Sequence, residues 1–161
     1  MIQIDSEETY VEVVEAYSDL LFRIAYQNML NTADSEDVVQ DVLCKLLRHR
    51  GGFEDREHLK AWLIRVTVNQ CKDYHRFLSR RREVPMESIE EYDATAEEND
   101  SEVFALVEEL PKEDRNVIYL YYFEGYSIRE IAEILKKNQN TVNSKLRRAR
   151  QKLEKILRRG E

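Results

Sequence analysis

Glycine, proline and long apolar runs are scarce in this chain. Its 161 residues include four glycines and two prolines, which favours long helices joined by few tight turns. No apolar run approaches the ~20 residues that a membrane-spanning helix needs. The acidic start, MIQIDSEE, lacks the features of a signal peptide. The sequence therefore predicts a cytoplasmic protein with no membrane span.

Cysteine, histidine and catalytic motifs are sparse as well. Cys44 and Cys71 are the only cysteines, lie outside any C-x-x-C motif and fall among apolar helix positions, so we expect two buried free thiols. The three histidines show no metal-ligand spacing, and there is no Gly-rich phosphate loop, zinc motif or nucleophile elbow. We therefore expect no enzyme, no metal and no cofactor.

Charge is abundant and divided along the chain. The net charge of −7 is the total of −9 in residues 1–44, +7 in 45–82, −12 in 83–114 and +7 in 115–161. Exposed charges more than ~8–10 Å apart are largely screened at physiological salt, so local patches matter more than the total. Two basic surfaces suited to nucleic acid therefore remain possible on an acidic protein.

Apolar residues three and four apart predict a bundle of three helices in residues 1–82. The first covers about 6–30, the second is capped by Asp34 and ended by Gly51 and Gly52, and the third covers about 59–80. The predicted inward-facing residues of the second and third helices are Val38, Val39, Val42, Leu43, Leu46, Leu47, Leu59, Trp62, Leu63, Val66, Tyr74 and Phe77. Residues 83–100 are acidic without periodicity, which predicts a flexible linker.

Residues 101–161 predict a second helical domain that contains a helix-turn-helix. One helix reaches Leu110, another continues to about Phe123, and Ser127 with Glu130 forms a capping-box signature for a short third helix. A polar turn and Asn138 then precede a long basic helix. Its polar face carries Asn140, Asn143, Ser144, Lys145, Arg147, Arg148 and Arg150. Such a helix suits the major groove, although a helical hairpin with a solvated basic face has the same pattern.

Four strings in this order resemble bacterial RNA polymerase sigma factors of the extracytoplasmic-function class. They are ADSEDVVQDVL, LKAWLIRVTVNQCKDYHR, ELPKEDRNVIYLYYFEGYSIREIAEIL and TVNSKLRRARQKL. The resemblance covers about residues 10–82 and 103–158. It implies an all-α protein of two small helical domains that binds core RNA polymerase, directs it to promoters and helps to melt the DNA.

The resemblance also implies where the polymerase binds. In the family, the helix with the Asp-Val-Val-Gln-Asp string docks on the clamp coiled coil of the largest polymerase subunit. It maps to Asp37, Gln40 and Asp41, with Glu36 and Lys45 as flanking candidates. A solvated helix face is the alternative. Contact with the flap of the second-largest subunit and inhibition by an anti-sigma factor are further expectations from the family.

The third helix and the loop before it correspond to the part of the family that engages the −10 promoter element. The matching positions are Lys60, Arg65, Asn69, Asp73, Arg76 and Arg80. Lys and Arg neutralise phosphates, and Asn can hydrogen-bond a splayed base. Asp73 is expected to orient an arginine or to form a structural ion pair. Core packing is favoured over base stacking for Trp62, and Arg80, Arg81 and Arg82 are expected at backbone phosphates.

The long basic helix corresponds to the part that reads the −35 element. The expected contacts with the −35 element are Asn140, Thr141, Asn143, Ser144, Lys145, Arg147 and Arg148. The alternative for Lys145, and the expectation for Arg150, is a contact with the flank or with phosphates. The family usually has Gly and an apolar residue in the turn, where this chain has Lys136 and Lys137. This departure puts the geometry of the turn, and the register of base contacts, in question.

Other interpretations remain open on the sequence alone. The acidic linker could occupy a polymerase channel built for nucleic acid, or it could act as a solubilising spacer. A stand-alone helix-turn-helix regulator would bind a palindrome as a dimer without polymerase. A protein-interaction module or anti-sigma-like adaptor would show no salt-dependent affinity for DNA.

Overall fold

The computed structural model describes residues 1–81 and 106–159, and both segments are helical. The first holds α1 (Glu7–Met29), α2 (Thr32–Arg48) and α3 (Arg56–Arg81). The second begins with a helical turn at 106–108. It continues with α4 (Lys112–Ile118), a π-helical segment (Tyr119–Phe123), α5 (Ile128–Leu135) and α6 (Gln139–Arg159). The expected all-α class is confirmed, and the only extended pairing in these residues is one bridge between Ile2 and Phe53.

The chain divides into two compact units, Met1–Tyr92 and Asp93–Glu161. The dividing point falls within residues 83–100, where we expected a linker. That linker, Arg82 and the predicted helix start at 101 lie outside the described residues, so each unit is considered by itself.

The first unit is built on the three predicted helices around one core. Ser6 caps α1 by accepting a 3.2 Å hydrogen bond from the Thr9 N–H. The buried core residues of this cluster are Val13, Leu21, Ala25, Val38, Val42, Leu46, Phe53, Leu59, Leu63 and Cys71. Burial of such aliphatic side chains contributes roughly 1.5–3 kcal/mol each. This core fixes which faces of α2 and α3 remain available to a partner.

The predicted caps of α2 were wrong at both ends. Asn31, not Asp34, is the N-cap, because its side-chain oxygen accepts a 2.9 Å bond from the Asp34 N–H. At the other end His49 is extended, and neither Gly51 nor Gly52 has a positive φ. The helix therefore ends in an extended chain rather than in a left-handed glycine turn.

The start of α3 lies three residues before the predicted position. Asp55 accepts a 2.8 Å hydrogen bond from the His58 N–H, which makes it the capping residue that sequence reasoning had placed in a loop. Phe53, two residues earlier, is almost fully buried and packs against His49 and Trp62. The chain between α2 and α3 is thus anchored by an aromatic side chain.

Three predicted core positions in this unit are exposed. Cys71 is buried as expected, but Cys44 is exposed, which corrects the expectation of two buried thiols. Leu47 is 57% exposed and Phe77 is 49% exposed. Successive helical residues point about 100° apart, so the buried stripe through Val42 and Leu46 excludes both Cys44 and Leu47.

The second unit packs α4, α5 and α6 around a smaller core. Its most buried residues include Leu110, Ile118, Leu120, Ile131, Val142, Leu146 and Ala149. Arg115 is also buried and donates hydrogen bonds to the carbonyls of Leu110 (2.7 Å) and Glu108 (3.3 Å). Burial lowers the pKa of this guanidinium. The arginine thereby satisfies backbone oxygens in the turn before α4.

The helix signals of the helix-turn-helix were predicted correctly. Ser127 and Glu130 form the full capping box, and the Asn138 side chain accepts a 3.1 Å bond from the Thr141 N–H. Gly125 ends the preceding element with a φ of 73°. The π-helical register of Tyr119–Phe123 was not predicted, since the Glu124 N–H bonds to the Tyr119 carbonyl five residues back. Apolar periodicity carries no signal for one wider turn.

Candidate polymerase and nucleic-acid interfaces

The polar side of α2 presents all five predicted polymerase contacts to solvent. Glu36, Asp37, Gln40, Asp41 and Lys45 are exposed, and we call them the α2 acidic face. Val38, Val42 and Leu46, which form the inward stripe of the same helix, are fully buried. The core therefore holds this face outward as a rigid helical surface.

Two side chains of α3 contact the carboxylates of α2. The Gln70 side-chain amide donates a 3.3 Å hydrogen bond to Asp41. The Tyr74 hydroxyl donates a 2.9 Å bond to Asp34. Burial, followed by the bond to Asp34, raises the pKa of Tyr74 from 10.0 to about 12, and the charges of Asp37 and Asp41 act in the same direction. The position of the α2 acidic face is thus fixed relative to α3.

Five of the six predicted −10 contacts lie along one stripe of α3. Arg65, Asn69, Asp73, Arg76 and Arg80 recur at three- and four-residue steps, and all but the half-buried Arg65 are exposed. We call them the α3 polar stripe. Lys60 is half-buried and precedes Arg65 by five residues, about 140° around the helix. The structure therefore separates Lys60 from the other five.

Asp73 forms an exposed ion pair with Arg76, with 3.6 Å between the carboxylate and the guanidinium.

Trp62 is half-buried against the core and lies 5.4 Å from Phe53 and 4.8 Å from His49 between ring centroids. This agrees with the favoured interpretation of Trp62 as a packing residue. Phe77 lies under the guanidinium of Arg81, 5.0 Å from ring centroid to Cζ. The exposure of the Phe77 ring was not predicted from the sequence, because the spacing of Phe77 matches that of the apolar stripe.

The exposed side of α6 carries most of the predicted −35 contacts. Asn140, Asn143, Arg147 and Arg148 are exposed, whereas Thr141 and Ser144 are half-buried. Val142, Leu146 and Ala149 are fully buried on the other side. Lys145 differs from its neighbours, because its side chain is only 12% exposed and forms an ion pair with Glu113. It joins α6 to α4 instead of pointing outward.

The turn before α6 keeps a tight geometry despite its two lysines. Lys136 takes the left-handed conformation, with φ 52° and ψ 47°, where a glycine is usual. The Lys137 N–H then bonds to the Ala132 carbonyl at 2.9 Å. A left-handed non-glycine residue costs roughly 1–2 kcal/mol, so Lys136 adopts this turn under strain. The turn whose geometry was in question on sequence grounds therefore has the ordinary left-handed conformation.

Arg150 meets two tyrosines of the π-helical segment. Its Nε donates a 2.6 Å hydrogen bond to the Tyr122 hydroxyl. Its Cζ lies 5.3 Å from the Tyr121 ring centroid and 5.6 Å from that of Tyr122. The hydrogen bond raises the pKa of the guanidinium. Spacing alone could not predict this contact, since it depends on the wider turn at Tyr119–Phe123.

Comparison with known protein families assigns both units. Residues 13–81 match sigma-70 region 2, and residues 101–153 match sigma-70 region 4. RNA polymerase sigma factor SigV of Bacillus subtilis is 31% identical over 130 residues, covering 80% of this chain and 78% of that protein. The chain belongs to the RNA polymerase sigma factors of the extracytoplasmic-function class. Such factors direct RNA polymerase to initiate transcription.

Other relatives agree with this assignment. ECF RNA polymerase sigma factor SigM of Mycobacterium tuberculosis is 31% identical over 139 residues, covering 85% of this sigma factor and 71% of its relative. The solved structure of sigma factor RpoE with anti-sigma factor NepR from Bartonella quintana has a TM-score of 0.73 at 24% identity, covering 92% and 96% of the chains. That of CnrH with the cytosolic domain of CnrY has a TM-score of 0.70 at 23% identity, covering 98% and 92%. Both structures share the fold of the sigma factor.

Within residues 1–81 and 106–159, none of the helices is long and apolar enough to cross a membrane. No group of three or more potential metal-ligating side chains was found in the same residues.

Proposed function

We propose that this sigma factor uses three helical faces for three separate contacts. The α2 acidic face docks on the clamp coiled coil, the α3 polar stripe engages the −10 element, and α6 reads the −35 element. The first two contacts belong to residues 1–82 and the third to residues 101–161. The supporting observation is common to all three helices, since each exposes polar residues while its apolar stripe is buried.

The polymerase contact rests on the carboxylates of α2. Asp37 and Asp41 lie one helical turn apart, and both are exposed. Gln70 holds Asp41 by its side chain, so less conformational freedom is lost when a basic partner binds. Glu36, Gln40 and Lys45 extend the same surface. The flap of the second-largest subunit is the proposed partner of the second unit.

The −10 contact divides among the residues of the α3 polar stripe. Arg65, Arg76 and Arg80 hold backbone phosphates, and Asn69 carries the donor and acceptor that a splayed base requires. Asp73 repels phosphate and is paired with Arg76, so we assign it to orienting that arginine. Lys60, on a different side of α3, is assigned to the flank of the DNA.

The −35 contact centres on Asn140, Asn143 and Arg147. Asn suits a bidentate bond to adenine, and Arg suits guanine. Arg148, Thr141 and Ser144 border this centre and are assigned to phosphates. Lys145 is engaged by Glu113, so we assign it to orienting α6 on α4.

The sigma factor itself catalyses no covalent step in this proposal, and it acts in the cytoplasm, where polymerase and promoter DNA meet. An anti-sigma factor is its proposed inhibitor. This partner is supported by two structural neighbours of the same fold, which are complexes with an anti-sigma factor and with a cytosolic domain of a second protein.

Reconstitution with core RNA polymerase tests the proposal. The purified chain is mixed with core enzyme and a library of promoter fragments, and transcripts are mapped. We expect initiation at a defined set of promoters that depends on both components. Core enzyme alone is the control. Dimeric binding to a palindrome by the free chain, without any core-dependent start, would support the regulator hypothesis instead.

A further inference from the structure

Arg150 lies on the side of α6 that carries the proposed base contacts. It follows Asn143 by seven residues and Arg147 by three, so it lies about 20° around the helix from Asn143 and two turns further along. Arg148 is on the opposite flank. A cation at the position of Arg150 would border the bases that Asn143 and Arg147 face, close to the DNA backbone.

Three other basic residues of α6 have carboxylate partners, whereas Arg150 has none in the described residues. Lys145 pairs with Glu113, Lys152 with Asp114 at 3.8 Å and Arg158 with Glu154 at 2.5 Å. Arg150 is exposed and forms no ion pair with any carboxylate in the described part of the chain. Its hydrogen-bond acceptors are instead neutral tyrosine hydroxyls, chiefly that of Tyr122 and more weakly that of Tyr121. Its charge therefore remains available to an anion.

The two tyrosines restrict where this guanidinium can lie. Tyr121 and Tyr122 pack edge to face, with 4.9 Å between centroids, and Arg150 lies over both rings. The bond to Tyr122 uses Nε, the donor nearest the stem of the side chain, so the two terminal amino groups remain at its end. Two such groups can bind a phosphate in bidentate geometry. Because the two tyrosines hold the guanidinium of Arg150 in place, less conformational entropy is lost when it binds a phosphate.

We propose that Arg150, held by Tyr121 and Tyr122, clamps a backbone phosphate of promoter DNA next to the bases read by Asn143 and Arg147. Tyr122, 54% exposed, is a positioning residue whose hydroxyl orients the guanidinium. This inference rests on the proposed function, and what it adds to the phosphate contact expected of Arg150 is the positioning of its guanidinium by Tyr121 and Tyr122 of the π-helical segment. A carboxylate of a polymerase subunit is the competing occupant, which the test distinguishes.

The test measures how strongly holoenzyme binds a fragment on which it initiates, from 50 to 300 mM salt. Arg150→Ala should reduce the slope of log K against log salt by about one, the effect of losing one phosphate contact. Tyr122→Phe keeps the ring and removes the acceptor, so it should weaken binding about threefold to tenfold. The double variant should be no weaker than Arg150→Ala, since both remove the same contact. Arg158→Ala is the matched control, because its guanidinium is already paired on the same helix.

A second probe locates the contact. Fragments that carry one uncharged methylphosphonate at successive positions of the −35 element should weaken the wild type at every contacted phosphate. Arg150→Ala should become insensitive at one of them. An unchanged salt slope, additive effects of the two substitutions, or loss of core association would each overturn the inference. Failure of the wild-type holoenzyme to initiate would instead overturn the proposed function, so the two failures are distinguishable.

Discussion

Tyr74 of α3 donates a 2.9 Å hydrogen bond to the carboxylate of Asp34, in the first turn of α2. This contact joins the helix proposed to hold the polymerase to the helix proposed to engage the −10 element. Because the Tyr74 hydroxyl is the donor, the contact requires a protonated phenol. The relative position of the two helices is therefore coupled to the protonation of a partly buried tyrosine.

Replacing Tyr74 by phenylalanine should reduce stability and change its pH dependence. Loss of a hydrogen bond to a charged acceptor should lower the free energy of unfolding by about 1.5–3 kcal/mol at pH 7. The pKa of Tyr74 is raised to about 12 in the folded chain, above the value near 10 of an unfolded tyrosine. Its contribution is thus complete below about pH 10 and is lost as pH rises towards 12. Urea unfolding between pH 7 and pH 11 measures both effects.

Tyr17→Phe, at a half-buried position of α1, is the control for this experiment. The Tyr74→Phe variant should lose less stability than the wild type between pH 9 and pH 11. A variant as stable as the wild type at pH 7, with an equally steep fall above pH 10, would contradict the role of the Asp34 contact.

Replacing Asp41 by alanine should weaken binding to core polymerase and leave upstream promoter recognition intact. Removal of one exposed interfacial carboxylate should cost on the order of tenfold in affinity, or about 1.4 kcal/mol. Fluorescence titration of labelled chain with core enzyme measures this loss. Gln70→Ala removes the hydrogen bond to Asp41 but keeps the carboxylate, so its effect should be smaller. Glu12→Ala removes an exposed carboxylate on α1 and should leave the affinity unchanged. An equal loss of affinity in this variant would mean that the net charge of the chain, rather than Asp41 itself, determines binding.

Arg147→Ala should have the converse effect. We expect promoter use to fall by an amount equivalent to about 1–3 kcal/mol, the contribution of one bidentate base contact, while core association stays normal. Competition between promoters with single changes in the −35 element should show relaxed preference at one base pair. Arg129→Ala, whose exposed side chain pairs with Glu133 on α5, is the matched control. Equal preference of Arg147→Ala and wild type for every −35 variant would remove Arg147 from base readout.

Lys136→Gly should stabilise the sigma factor. The left-handed conformation at φ 52° costs lysine roughly 1–2 kcal/mol, and glycine loses roughly 0.5–1 kcal/mol more entropy on folding. The net gain should be about 0.5–1 kcal/mol in the free energy of unfolding. Lys137→Gly removes the same charge at a position without a positive φ, so it should not stabilise. A less stable Lys136→Gly variant would contradict the strain assigned to this turn.

Amphipathic periodicity was enough to predict the helices within the described residues and the outward faces of α2 and α6. Local capping chemistry identified Ser127 and Asn138 because those signals lie within four residues of what they cap. One local signal was misassigned, because Asp34 resembled a cap but Asn31, three residues earlier, takes that role. The other predictions failed where tertiary packing decides. Leu47 and Phe77 have apolar side chains at nearly correct spacing, yet the core covers a narrower stripe than the pattern suggests.

The candidate sites show the same division. Spacing predicted that Asn140, Asn143 and Arg147 would be exposed, because a single helix determines it. It could not predict that Lys145 is engaged by Glu113 or that Arg150 is engaged by Tyr122, since these partners are 32 and 28 residues away in sequence. Contacts between elements depend on how the elements dock, and periodicity within one helix does not specify docking.

The bridge between Ile2 and Phe53 supports a final prediction, for the chain between α2 and α3. The Ile2 N–H bonds to the Phe53 carbonyl at 2.6 Å, and the Phe53 N–H bonds to the Ile2 carbonyl at 2.7 Å. Ile2→Pro removes the first donor, because proline has no N–H. We expect the free energy of unfolding to fall by about 1 kcal/mol, and the Phe53 amide to exchange its hydrogen faster.

Ile2→Val is the matched control, since it keeps the N–H and most of the apolar surface that packs against the core. If the bridge orders this chain, the Pro variant should also open −10 DNA less efficiently at unchanged core affinity, because Phe53 lies in the connection that leads into α3. Permanganate reactivity of unpaired thymines at the start site measures that opening. Equal protection of the Phe53 amide in the Pro and Val variants would mean that burial of the Phe53 ring, rather than the bridge, orders the connection.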